Sequence, residues 1–342
     1  MKKILIIIIL LSTIFVSCEK ELDFPFEYKE PKLVLNCALS TNEEINFTVS
    51  RSMHILDTKD IVMISDADIV IYEDDRPLQA IPELIGDGEF HVAYTPKAGH
   101  TYKFVISKNN FKTIEAETTM LAPPTINSLD GHIAADKYGF PGDDKEINLC
   151  FTDKANEENY YLVKVDEIYP DEIAEMLDIY YAYDKSYVAL STSDNTVSSS
   201  YSSILFFSDE LIDGCNYNLR FLASNYIDTN LFYIIEDIRR GYYYVDSIAA
   251  DSTAYADYYE QYELKLAVRF SSISKDYYQY LSSIEKYNEN DGNPFAEPTQ
   301  IKTNIKNGLG ILGSCSETID TLSIIVKNPY LDTEENIYKK NR

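Results

Sequence analysis

Four histidines, His54, His91, His100 and His132, are the first residues to test for chemistry. None stands in an H-E-x-x-H pattern and no two have ligand spacing on a helix, so no zinc protease site is written in the chain. His91 and His100 flank the turn at Lys97-Ala98-Gly99 and could face each other across a hairpin. Solvated strand histidines are the plainer reading, and no metal is expected. Gly308-Leu309-Gly310-Ile311-Leu312-Gly313 satisfies G-x-G-x-x-G. A dinucleotide site would also need a buried parallel strand before it, a helix after it and an acidic residue about 20 positions on. Thr303 to Asn307 and Ser314 to Glu317 supply none of this, so the glycines should form a loop leading into a strand, with no cofactor. Dispersed Ser/His/Asp or two-carboxylate sites converge only in three dimensions. With the histidines confined to residues 54–132, a hydrolase is the weakest functional reading, and the chain is expected not to be an enzyme.

One cysteine has a chemistry of its own. Lys2 and Lys3 form a basic start, and Ile4 to Val16 is apolar but shorter than the roughly 20 residues that span a bilayer as a helix. That is the anatomy of a signal peptide over residues 1–17. Phe15-Val16-Ser17-Cys18 resembles a bacterial lipobox, in which the cysteine is acylated and becomes the mature N-terminus. Cys18 is therefore the expected lipidation site, holding the chain to a membrane through several acyl chains. The other cysteines are Cys37, Cys150, Cys215 and Cys315. Alternation puts Cys37 and Cys215 on core faces and Cys150 on the polar face of its strand. Cys215–Cys315, Cys150–Cys315 and four reduced thiols all remain open.

The charge excludes whole classes of partner. Thirty basic against 56 acidic residues give −26 over 342 residues. Nucleic acid and anionic membrane surfaces need a basic face to release counterions, and this surface repels phosphate. The chain has 29 tyrosines and no tryptophan. Tyrosine offers a large apolar face with a polar tip, suited to peptide, glycan or protein contact. Tyr161 and Tyr277 read as core. Tyr242, Tyr243, Tyr244, Tyr255, Tyr258 and Tyr259 fall in an insertion and read as contact surface.

The elements that must position such residues are strands. Residues 18–30 are an acidic tether. Leu33, Leu35, Cys37 and Leu39 share one face; Ile45, Phe47 and Val49 another; Ala67, Ile69 and Ile71, then Tyr102, Phe104 and Ile106, continue the period of two. Turns at Asp74-Asp75, Gly86-Asp87-Gly88 and Lys97-Ala98-Gly99 make residues 31–122 an immunoglobulin-like β-sandwich. Leu121-Ala122-Pro123-Pro124 breaks the pattern. Residues 126–326 resume it with Ile147, Leu149, Phe151 and Tyr161, Val163, Val165, forming a larger β-sandwich. Insertions near 168–203 and 226–258 interrupt it. Pro170 to Tyr183 reads as a helix and Ser191 to Ser203 as a mobile Ser/Thr-rich loop. Ser274 should cap a helix that turns Tyr277, Leu281 and Ile284 inward. Thr321–Val326 is the expected last strand, with 327–342 a tail.

Several landmarks occur in a set order: Cys18-Glu19-Lys20-Glu21, Pro31-Lys32-Leu33-Val34-Leu35-Asn36, Val49-Ser50-Arg51-Ser52, Gly99-His100-Thr101-Tyr102, Asp276-Tyr277-Tyr278-Gln279-Tyr280, Asn293-Pro294-Phe295-Ala296-Glu297-Pro298, and Asn304-Ile305 with Gly308 to Ile311. Together they resemble the domain-of-unknown-function 4249 family, outer-membrane lipoproteins of Bacteroidota. The Lys and Glu beside Cys18 also resemble the surface-export signal of such lipoproteins. Family members sit beside TonB-dependent outer-membrane receptors, which implies a surface-exposed, non-enzymatic accessory in ligand capture or nutrient uptake. A freestanding adhesin or structural surface protein is the alternative. No catalytic residue is known for the family, so none is carried over.

Overall fold

The computed structural model describes residues 30–53, 60–134, 144–171, 188–197, 203–225, 258, 260–290 and 299–328. Alternating residues build its strands directly. In β1 (Leu33–Ser40) and β2 (Ile45–Arg51) every expected apolar position is buried. The same is true of Tyr102, Phe104 and Ile106 in β7 (Thr101–Ser107), which pairs with β3 (Asp68–Glu73) and β8 (Ile114–Thr119). Short strands β4 (Arg76–Pro77), β5 (Glu83–Gly86) and β6 (Glu89–Val92) complete the N-terminal half. Asp74 and Asp75 turn β3 into β4, both with positive φ. Short polar side chains tolerate that conformation best after glycine.

Pro123 and Pro124 lie between β8 and β9 (Ile126–Ile133). Beyond them come β10 (Asp144–Thr152), β11 (Tyr160–Ile168), β12 (Ala189–Ser191), β13 (Ile204–Ser208), β14 (Asn216–Ser224), β15 (Gln261–Ile273) and β16 (Leu309–Lys327). The strands form an eight-stranded sheet, β13-β11-β15-β16-β1-β2-β6-β5, and two four-stranded sheets, β12-β14-β10-β9 and β4-β3-β7-β8. One apolar core groups residues of β1, β2, β6, β7 and β8; a second groups residues of β10, β11, β13, β14 and β15. The fold is mostly β, and its two sandwiches share the long sheet.

β16 makes the sharing possible. Leu309–Cys315 pairs in parallel with β1, and Cys315–Lys327 pairs antiparallel with β15. The strand expected at Thr321–Val326 is thus only the end of a 19-residue strand. Its first part escaped the period-two reading because residues 311–316 are buried without alternation, and a strand covered on both faces loses its polar phase. Ser314 Oγ donates to the Thr119 carbonyl at 2.8 Å and Thr318 Oγ1 to that of Pro124, so the link between sandwiches is tied to the strand that joins them.

Of the glycines expected to form a loop leading into a strand, Gly308 precedes β16 while Gly310 and Gly313 lie inside it, and each sits where a side chain would collide. A Cβ on Gly308 would meet the Leu33 carbonyl at 2.9 Å, and one on Gly313 would meet the Tyr277 ring at 2.7 Å. Tyr277 belongs to α1 (Lys275–Asn290), which begins where Ser274 was expected to cap it. The Ser274 hydroxyl accepts from Ser314 N at 3.3 Å, clipping the helix start to β16. Tyr277, Tyr278 and Leu281 pack on Leu162, Phe206, Ile273 and Cys315, so the helix covers part of the outer face of the long sheet.

Two expectations need correction, and two lie outside the described residues. Cys215 is exposed rather than on a core face. It precedes β14 in a turn with Gly214 at positive φ, where strand alternation does not apply. Of the mobile loop expected over Ser191 to Ser203, residues 191–197 are tied down, and 198–202 lie outside the described residues. Thr192 Oγ1 donates to the Arg220 carbonyl at 2.6 Å, Asp194 accepts from Thr196 N at 3.0 Å and from the Tyr217 hydroxyl, and Val197 bridges to Phe207. Apart from Pro170 and Asp171, the helix expected over 170–183 lies outside the described residues, as do residues 226–257.

Candidate functional site

A groove of about 550 Å³ runs between α1 and the outer face of β1, β2, β5 and β6. Its floor comes from the polar phase of the alternating strands. Asn36 and Thr48 are register partners, and Asn46 lies two residues along β2 on the same face. Glu89 and Ile85 close one side; Tyr277, Tyr280 and Leu281 from α1 close the other. These three helix residues share a face because they are spaced i, i+3 and i+4. The Tyr280 hydroxyl donates to Asn36 Oδ1 at 3.5 Å, and Lys302 N donates to Ser283 Oγ at 2.9 Å, tying the helix to the segment that leads into β16. Carboxamides, a hydroxyl and aromatic walls recognise polar ligands by hydrogen bonds and stacking. The residues lining the groove include one carboxylate, Glu89, and no histidine.

A second hollow, about 540 Å³, lies at the β3–β4 turn and holds the other reactive groups. His100 Nδ1 and Asp74 Oδ2 are 2.7 Å apart. Glu73 Oε1 accepts from Tyr102 at 2.6 Å and from Tyr94. Burial pushes the Glu73 carboxyl up, but the Tyr102 and Tyr94 hydroxyls, together with the nearby His100 and Lys97, hold it below the usual range. A hydrogen bond from Thr101 N, then the His100 side chain, holds Asp74 low as well. Both acids stay ionised and serve the turn. The lining residues supply no serine, threonine or cysteine nucleophile. His91 pairs with Glu44 in the long sheet, so the two histidines answer to different carboxylates on different sheets.

Asp153, Asp209 and Asp213 converge within 4.8 Å, the first two buried. An all-oxygen set of this kind suits a hard divalent cation rather than zinc. Hydrogen bonds already engage these oxygens. Asp153 accepts from the Tyr161 hydroxyl at 2.6 Å and Gly214 N at 2.7 Å, Asp209 from Asn159 N at 2.8 Å, and Asp213 from Asn156 N at 2.8 Å. The cluster therefore pins the β10–β11 loop to the β13–β14 turn. Burial, and then the charge of Asp153, raise the Asp209 carboxyl above its ordinary value. A carboxyl raised in the folded state contributes stability at low pH that is lost as pH rises through its folded value. Asp209→Asn keeps an oxygen for Asn159 and removes that loss. Urea melts should show a gain of up to about 1 kcal/mol at pH 7 that shrinks as pH falls through the raised folded value of the carboxyl and is gone below about pH 4, its ordinary value. An unchanged difference across that range would show that the carboxyl is not strained.

The expected contact tyrosines are placed only in part. Tyr258 is half-buried against the second core; Tyr242, Tyr243, Tyr244, Tyr255 and Tyr259 lie outside the described residues, as does Cys18. Tyr161 and Tyr277 are packed as expected. The groove residues Asn36, Asn46 and Thr48 were not singled out in the sequence, although uncharged carboxamides in the polar phase of two adjacent strands are a signal for them. Cys37, Cys150, Cys215 and Cys315 are all free thiols. Burial pushes the Cys315 thiol up to about 12, and burial raises Cys37 further. Maleimide labelling of the native protein should therefore modify Cys215 first and Cys150 more slowly, with Cys37 and Cys315 reacting only on unfolding.

A family model described as "Domain of unknown function (DUF4249)" matches residues 19–321. No curated protein matches the chain. Among solved structures, the chain is similar to one described as "Biofilm associated protein - BSP domain", at 9% identity and a TM-score of 0.23. That match covers 89% of this chain and 61% of the other. Among the described residues no helix is long and apolar enough to cross a membrane.

Proposed function

The chain belongs to the DUF4249 family, and from that premise we propose that it is a lipid-anchored, non-enzymatic binding protein of the outer-membrane surface, an accessory of a TonB-dependent receptor in ligand capture. The observation that carries the reading is the groove beside α1, where Tyr280, Asn36, Asn46 and Thr48 offer stacking and hydrogen bonds without a reactive pair. A peptide or a glycan suits that lining, since both combine apolar faces with dense hydrogen-bonding groups. Cys18 would supply the anchor, and the 14 residues between it and β1 would reach about 48 Å from the membrane when extended.

The test is a pull-down of the tagged, lipidated protein from gently solubilised native outer membranes, followed by mass spectrometry. A TonB-dependent barrel recovered in stoichiometric amount is the expected result. Recovery of the acylated protein alone would overturn the accessory role and favour a freestanding adhesin.

A further inference from the structure

The second sandwich holds a buried polar group that neither the groove nor the turn sites use. Lys145 is 0% exposed, Asn225 4% and Glu167 7%. Lys145 Nζ donates to Glu167 Oε1 at 2.8 Å, and Asn225 Nδ2 donates to Glu167 Oε2 at 2.6 Å. The Tyr169 hydroxyl donates to the same Oε2 at 2.7 Å. The topology brings the three together. Lys145 is in phase with Ile147, Leu149 and Phe151 on the core face of β10. Asn225 follows β14 two residues beyond Ala223, the register partner of Lys145, and so lies on the same side of that sheet. Glu167 is in phase with Tyr161, Val163 and Val165 on β11, in the facing sheet. A lysine and a glutamate stand where alternation calls for apolar side chains, and well-packed apolar residues there would serve stability as well or better.

We propose that Lys145 and Asn225 become joined by an intramolecular isopeptide bond, with Glu167 as the proton carrier. Glu167 takes a proton from the Lys145 ammonium, and the freed lone pair on Nζ attacks Asn225 Cγ. The Nζ–Cγ bond forms and the Cγ–Nδ2 bond breaks. Glu167 passes this proton to the departing nitrogen and then carries across the second one that Nζ sheds as the amide forms. Two of the three Nζ protons leave with that nitrogen as ammonium, and one stays on the new amide. Nothing is oxidised or reduced and no co-reactant is needed. The two nitrogens already sit on the two oxygens of one carboxylate, so the reaction is intramolecular and the fold sets the geometry. The product cross-links β10 to β14 inside the core, a constraint that persists in denaturant.

The test is a tryptic digest of the full chain, denatured and analysed by mass spectrometry. The expected product is residues 138–154 joined to residues 221–239, lighter than the two peptides together by one ammonia, with Lys145 uncut. Glu167→Gln and Asn225→Ala should each abolish the joined species. Two free peptides from the wild-type chain, with cleavage at Lys145 and Asn225 intact, would overturn the proposal. So would an ammonia loss confined to one peptide, which is the mark of a succinimide. The wild-type digest decides the matter even if either variant folds poorly.

Discussion

Gly310→Ala should prevent the native fold or cost it at least about 3 kcal/mol, the range of backbone strain combined with a core clash. Gly310 has a φ of +94° and stands where a Cβ would come within 2.0 Å of the Leu35 carbonyl oxygen. That carbonyl belongs to β1, the parallel partner of β16, and the backbone cannot yield without opening the ladder that joins the sandwiches. Gly99 separates the two causes. Its φ is +86°, yet nothing lies within 4 Å of the position a Cβ would take. Gly99→Ala therefore bears only the conformational cost, about 1 kcal/mol. Paired denaturant melts of the two variants check this. Equal losses would mean that contact with Leu35 contributes nothing and that φ alone decides.

A fragment of residues 30–125 should fail to fold, although it carries nearly every strand of the N-terminal sandwich. The missing pieces are Leu309–Cys315, which flank β1, and Ile305 and Leu312, which belong to its core. Without them β1 becomes an exposed edge, and an unpaired apolar edge strand templates aggregation. Ile114 also loses the close packing around Gly308, and Glu115 loses its bridge to Lys306. Circular dichroism and amide exchange should show a collapsed or aggregating chain. The intact protein should unfold in one transition, because β16 contributes to both cores. A fragment that melts cooperatively would show that β16 only decorates a self-sufficient sandwich.

The strands with one wet face were legible from the chain. Leu33, Leu35, Cys37 and Leu39, or Ile147, Leu149 and Phe151, announce a buried face because each is separated by a polar neighbour. The start of α1 was legible too, since Ser274 precedes a helix-spaced set of Tyr277 and Leu281. Residues 311–316 were not, for they are buried in succession and so lack a polar phase. Cys215 was misplaced because alternation was extended one residue into a turn. Lys145 and Glu167 were passed over for the opposite reason: each continues an apolar phase, and a charged residue there reads as the end of the strand until a partner is seen across the core.

By itself the sequence determined local matters: strands of period two, turns at Asp74-Asp75 and Lys97-Ala98-Gly99, and the acidic charge. These depend on neighbours within a few residues. Tertiary structure alone decided that β16 lies beside β1, that Asn36, Asn46 and Tyr280 line one groove, and that Lys145, Glu167 and Asn225 meet. Those contacts join segments tens to hundreds of residues apart, so no local period encodes them. They arise only when the cost of closing long loops is repaid by burying both cores at once.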